Sequence, residues 1–272
     1  MKTKYVCYKK IKIEFCQIPA GVFTVGQTIE ERCELINTYG QETFKKRFGS
    51  ELPTHNIALD KFWIAKTPGT VENYRVFLNE TGWKTTAEVE GWSYHRVDNV
   101  WEKIKGLSWA IPGYSQSDQH PVVHVSWFDA VEFTKWISVV TGQQFYLPTA
   151  AEWEGAAHGG IAGCRYAGCG DIEQLAWIEN NSGRAPKPVS LKISNNFGLH
   201  DMCGNVWEWC QDYYYPPTYQ QVGITNDPRN HARVSKGGAW HNTKEYVRCA
   251  NHHGTDPCYH GSNFGFRLCL KG

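Results

Sequence analysis

Apolar and polar positions recur with two different periods along this chain, and the period changes where turn residues stand. Phe15-Cys16-Gln17-Ile18 and Val22-Phe23-Thr24-Val25 read as two short strands around Pro19-Ala20-Gly21. Strand side chains point alternately to opposite faces, and Pro and Gly favour the turn. His55 to Ile64 alternates in the same way and predicts another strand. Thr70 is placed to cap a helix over 71–81, in which Tyr74, Phe77 and Leu78 share one face and which Gly82 stops. Ser126-Trp127-Phe128-Asp129 is a capping box. It opens a helix that turns Ala130, Phe133, Ile137 and Val140 inward and ends at Gly142. A second box, Thr149-Ala150-Ala151-Glu152, opens a short helix that ends at Gly159-Gly160.

Residues 27–52 are polar and charged and predict a surface excursion. Residues 83–122 are rich in Trp, Gly, Ser and Pro without a helical period and predict a long structured loop. Turns and short strands follow Gly160. The expected architecture is α+β, with two main helices, short antiparallel strands and long structured loops. No linker composition or repeat interrupts it, so 1–272 reads as one domain.

Composition narrows the function classes. The chain has 272 residues, 41% of them hydrophobic, which excludes a disordered chain and allows a substantial core. Net charge is +1 with Lys and Arg scattered, whereas a nucleic-acid binder needs a basic face, so no nucleic-acid partner is expected. No apolar run approaches the roughly 20 residues needed to span a bilayer. Met1 to Glu14 lacks a continuous apolar stretch and is not a complete signal peptide. Among ten cysteines, Cys164 and Cys169 are spaced for a small loop staple, and Cys203 and Cys210 flank an aromatic run. No C-x-x-C occurs, which argues against a zinc ribbon or redox dithiol. Paired and buried free thiols remain equal readings for most of them.

Longer strings carry a resemblance. They are Pro121-Val122-Val123-His124-Val125-Ser126-Trp127, Phe145 to Glu154, Asn196-Phe197-Gly198-Leu199-His200-Asp201-Met202-Cys203-Gly204-Asn205-Val206-Trp207-Glu208-Trp209, Val234 to Trp240, and Gly265-Phe266-Arg267. In this order the chain resembles the formylglycine-generating-enzyme (sulfatase-modifying factor) superfamily from about Phe15 to Leu270. The resemblance implies a C-type-lectin-like fold. It also allows a structural calcium at Asn205 and Glu208, set against ordinary hydrogen bonds to loop backbone; no other cofactor is expected. Trp207 and Trp209 share one face of a strand and Glu208 points to the other.

Enzymes of this superfamily carry two cysteines shortly after the Gly-Gly string, and these hold copper. Here Gly237 to Val247 contains none, and neither Asn242 nor Val247 supplies the soft thiolate ligand. An iron-dependent branch uses three histidines together with a helical-bundle domain. His241, His252, His253 and His260 are the candidates for such a site. A copper- or iron-dependent oxidase is therefore the alternative reading.

The C-terminal segment more closely resembles variable proteins of diversity-generating retroelements. Arg248-Cys249-Ala250-Asn251 precedes a polar run, then Gly265-Phe266-Arg267. Mutating the adenines of Asn codons ending in a pyrimidine yields His, Gly, Thr, Asp, Tyr, Ser and Cys, but never Lys, Glu, Gln, Met or Trp. None of those five occurs from Tyr246 to Leu270. The expectation is a non-catalytic receptor or adhesin with a variable region at about 237–267, binding an unknown protein or glycan ligand. The expected contacts are Trp240, His241, Asn242, Tyr246, Asn251, His252, His253, Gly254, Thr255, Asp256, Tyr259, His260, Gly261, Ser262 and Asn263. Such residue types suit recognition, because aromatic rings give contact area at low entropy cost and small polar residues adapt their hydrogen bonds. The same resemblance implies a cell-surface or outer-membrane lipoprotein, with a lipid anchor outside these residues.

Overall fold

Strands from the two ends of the chain meet in one sheet. The computed structural model describes residues 2–51, 54–214 and 231–272. β1 (Thr3–Tyr8) pairs antiparallel with β2 (Ile11–Ile18), whose Ile11, Ile13 and Phe15 turn to the interior. β3 (Gly21–Val25) follows and pairs with β4 (His55–Leu59). β5 (Phe62–Ala65) joins β2, so the expected single strand from His55 to Ile64 is two, broken at Asp60-Lys61 and assigned to different sheets.

The polar stretch 27–52 is largely helical where described. α1 (Ile29–Tyr39) starts with a capping box at Thr28, and α2 (Gln41–Arg47) follows Gly40. Leu35, Phe44 and Phe48 form a small core of their own. With only three buried apolar residues among those described, the excursion hides its amphipathic face among charges and shows no helical period in the sequence.

α3 (Val71–Thr81) has the expected Thr70 cap and Gly82 stop. The region read as a loop holds a short helix, α4 (Thr86–Glu90), and a hairpin of β6 (Trp92–Val97) and β7 (Val100–Lys105). α5 (Trp127–Thr141) and α6 (Ala150–Ala157) both begin at complete capping boxes, at Ser126 and Thr149. β8 (Phe145–Tyr146) lies between them. Tyr74, Phe77, Phe133 and Phe266 pack ring against ring at 5.3–6.2 Å and join α3 and α5 to the C-terminal strands.

β9 (Trp207–Tyr213), β10 (Arg233–Lys236), β11 (His252–Thr255) and β12 (Phe264–Gly265) make a second sheet in the order β11-β10-β9-β12. β13 (Cys269–Lys271) then returns between β5 and β8 in the first sheet. The segment 237–267 therefore starts at β10 and is anchored again at β12 and β13. Two glycines make its base tight. A Cβ on Gly204 would lie 2.3 Å from the Trp177 carbonyl oxygen, and one on Gly238 would lie 2.5 Å from Val247 Cγ1. Both residues have positive φ, which glycine tolerates best.

Candidate functional site

Three buried ion pairs frame the C-terminal segment. Arg267 grips Glu208 with two bonds, Nε to Oε2 at 2.6 Å and Nη2 to Oε1 at 2.7 Å, and Trp153 Nε1 donates to the same Oε2. Lys236 Nζ donates to Glu154 Oε2 at 2.8 Å and to the Cys249 carbonyl at 2.7 Å. Burial pushes the Glu154 carboxyl up, but Lys236 and the neighbouring donors more than offset this and hold it at about 2. Arg248 donates to both oxygens of Glu51, at 2.8 and 2.7 Å, and Asn251 and Gln27 also donate to that carboxylate. Glu51 follows the helical excursion, so residues 29–51 clamp the start of the segment. Phe48 and Tyr246 meet at 5.6 Å, and Arg47 donates to Tyr246 Oη. Buried charges stay ionised at acceptable cost only when paired and hydrogen-bonded, as these are.

The expected contact residues fall into two groups. His253 and Asp256 are exposed, and His241, Asn242, Tyr246, His252, Gly254, Thr255 and Tyr259 are half-buried. Trp240, Asn251, His260, Gly261, Ser262 and Asn263 are buried. This second group corrects the sequence expectation, because a side chain enclosed by its own protein cannot present atoms to a partner. Trp240 Nε1 donates to the Ser262 carbonyl, and Asn251 serves Glu51. His260 is tied in through its ring: Nδ1 lies 3.1 Å from Ser93 Oγ and Nε2 lies 3.3 Å from Glu90. Ser93 Oγ also contacts His124 Nδ1 at 2.6 Å, and His124 Nε2 reaches the Pro112 carbonyl. Burial lowers the His124 imidazole to about 3. Half-buried His241 is also lowered to about 3, by desolvation and by the neighbouring Arg96.

The hairpin β6–β7 adds residues absent from the sequence expectation. Tyr94 stacks on Tyr259 with centroids 5.0 Å apart and planes at 11°. Trp92 meets His260, and Trp101 meets His241. Lys103 Nζ sits 3.9 Å from the Trp92 ring centre, a cation–π contact. Trp92, Tyr94, Trp101 and Arg96 are half-buried and border the outward residues. A groove of about 390 Å³ opens between Asn242, Lys244, Glu245, Glu179 and Tyr39. A further cavity of about 230 Å³, beside the Lys66–Glu14 pair, includes none of the expected contact residues.

The residues do not fit the metals considered above. Asn242 Oδ1 accepts from the Ala239 amide at 2.8 Å, and Val247 is fully buried, so neither copper position offers a thiolate. His241, His252, His253 and His260 each face different neighbours. Among the described residues, no three His, Cys, Asp or Glu side chains are grouped to hold a metal. Asn205 bonds both the amide and the carbonyl of Lys187, and Glu208 is taken by Arg267 and Trp153. The hydrogen-bonding alternative to calcium accounts for both.

With the fold and frame in view, the class is clear. The sequence profile of the sulfatase-modifying factor enzyme 1-like domain matches residues 9–271, and the chain belongs to that family. A formylglycine-generating enzyme of Streptomyces coelicolor is 34% identical over 293 residues, covering 92% of this chain and 87% of that enzyme. The serine/threonine-protein kinase Pkn1 of Chlamydia trachomatis serovar L2 is 36% identical over 226 residues. That match covers 81% of this chain but only 35% of the kinase, so the chain spans about a third of that relative's length. The solved structure of Treponema denticola variable protein 1 superposes with a TM-score of 0.71 at 20% identity, covering 99% of each chain. The fold is the C-type-lectin-like α+β fold of the formylglycine-generating type.

Proposed function

We propose that this chain is a non-catalytic ligand-binding protein of the receptor or adhesin kind, whose C-terminal segment is diversified by a retroelement to vary what it binds. The observation that carries the reading is the division of 237–267 into buried, ion-paired anchors and outward polar and aromatic side chains. A rigid frame tolerates change at residues on which no core contact depends. Asn242 and Val247 support the non-catalytic part, because they stand where a copper-binding thiolate pair would be needed. The ligand is a protein or glycan met by Tyr246, Tyr259, His253 and Asp256, with Trp92 and Tyr94 at the border. We place the protein at the cell surface, held by a lipid anchor outside these residues. Among the described residues, no helix is long and apolar enough to cross a membrane.

The test is turnover. Purified protein is loaded with copper(I) and incubated in air with a cysteine-containing sulfatase peptide, and the peptide is analysed by mass spectrometry. The reading expects unchanged peptide and no stoichiometric copper; conversion to the aldehyde would replace it with the oxidase reading.

A further inference from the structure

Two thiols meet beneath the binding surface. Cys203 lies in the turn before Gly204-Asn205, and Cys249 directly follows Arg248. Both are buried free thiols of one core cluster, and Cys203 is the neighbour that acts most strongly on the Cys249 thiol. Both also rest on one short stretch of backbone. Cys203 Sγ accepts from the Ala167 amide at 3.3 Å, and the Cys249 amide donates to the Arg165 carbonyl at 2.9 Å. That stretch is itself closed by the disulfide Cys164–Cys169. Three segments far apart in sequence thus converge on four cysteines. Cys210, by contrast, directs its sulfur at the Glu208 carbonyl.

We propose that Cys203 and Cys249 are a disulfide-forming pair, closed as the chain folds, that staples the root of the C-terminal segment to the Gly204 turn. The pairing stands independently of the ligand-binding reading. Its consequence for that reading is a covalent anchor beside the Lys236–Glu154 ion pair, since Lys236 bonds the Cys249 carbonyl. Forming the S–S bond removes one proton and one electron from each thiol. A small disulfide of the glutathione class accepts them through a mixed disulfide and leaves as two thiols. Contact with Cys203 and burial hold the Cys249 thiol protonated in the folded protein. The thiolate is the attacking species, so closure belongs to folding, before the site is covered.

The experiment refolds the full chain in a glutathione redox buffer, blocks thiols with iodoacetamide under denaturing conditions, and maps unreduced peptides by mass spectrometry with fragmentation. The expected result is a Cys203–Cys249 cross-link beside Cys164–Cys169, with six alkylated cysteines of the ten. Eight alkylated cysteines, or Cys203 or Cys249 joined to another partner, would overturn the proposal. As a second measurement, reducing the wild-type protein is expected to lower its Tm by roughly 5–10 °C more than reducing Cys203→Ser lowers that variant's. Equal shifts would also count against the pair.

Discussion

Arg248 concentrates the energetics of the site in one side chain. It is fully buried, and Glu51 opposite it is also closed from water. Arg248→Leu leaves that carboxylate without its main partner and is expected to cost about 3–5 kcal/mol, read as a lowered urea midpoint; an unchanged midpoint would show the pair to be slack. His124 gives a pH signature. Its folded pKa is about 3 against 6.5 when exposed. Between those values the unfolded chain binds a proton that the folded one refuses, so stability falls as pH drops below 6.5 and is unaffected above. At pH 5 its share of the loss is about 2 kcal/mol, and His124→Gln should make the profile between pH 7 and 5 shallower by that amount, while His241, lowered in the same way, keeps the remaining slope. Glu154, depressed to about 2 from 4.5, adds stability that is present above 4.5 and lost from there towards 2. Equal urea midpoints at pH 7 and 5 for the wild type would contradict the histidine account. Much at this scale was not legible in the sequence. Asn251, His260 and Ser262 have the same chemistry as the outward residues, and only partners such as Glu51 and Ser93, 167 to 200 residues away, make the first two anchors.

The helical excursion 29–51 is the element that most changes the site. Phe48 is buried against Tyr39, Phe44 and Tyr246, with the Arg248 guanidinium 5.2 Å from its ring. Phe48→Ala is expected to cost about 3–5 kcal/mol locally and to raise amide hydrogen exchange at 246–251 while α5 stays protected. Equal exchange in both regions would mean that the clamp does not hold the segment. The helices at Thr70, Ser126 and Thr149 were legible because capping is local chemistry: each hydroxyl serves an amide three residues on. The β6–β7 hairpin lies in the stretch expected to be a structured loop, although Asp98-Asn99 between alternating runs signals a tight hairpin turn. Both residues have positive φ, at 45° and 69°, as such turns require. Its aromatic face packs on Tyr259, His260 and His241 from the far end of the chain, which no local pattern reveals.

At the scale of the whole molecule, the frame and the outward surface are separate. The family strings around Gly204, Gly237 and Arg267 fall on tight turns and buried ion pairs, which is why the fold could be recognised from them. The outward residues His241, Asn242, Tyr246, His252 to Asp256, and Tyr259 take no part in the three buried ion pairs of that frame. Diversification of such a surface would leave a pattern that catalysis has no reason to produce. The most direct measurement is deep sequencing of the 3′ end of the gene across a population of cells. Substitutions are expected to concentrate at those outward positions, to follow adenine changes in Asn codons, and to spare Trp240, Arg248 and Arg267. A population uniform at the outward positions, or varying equally at the buried anchors, would contradict the account.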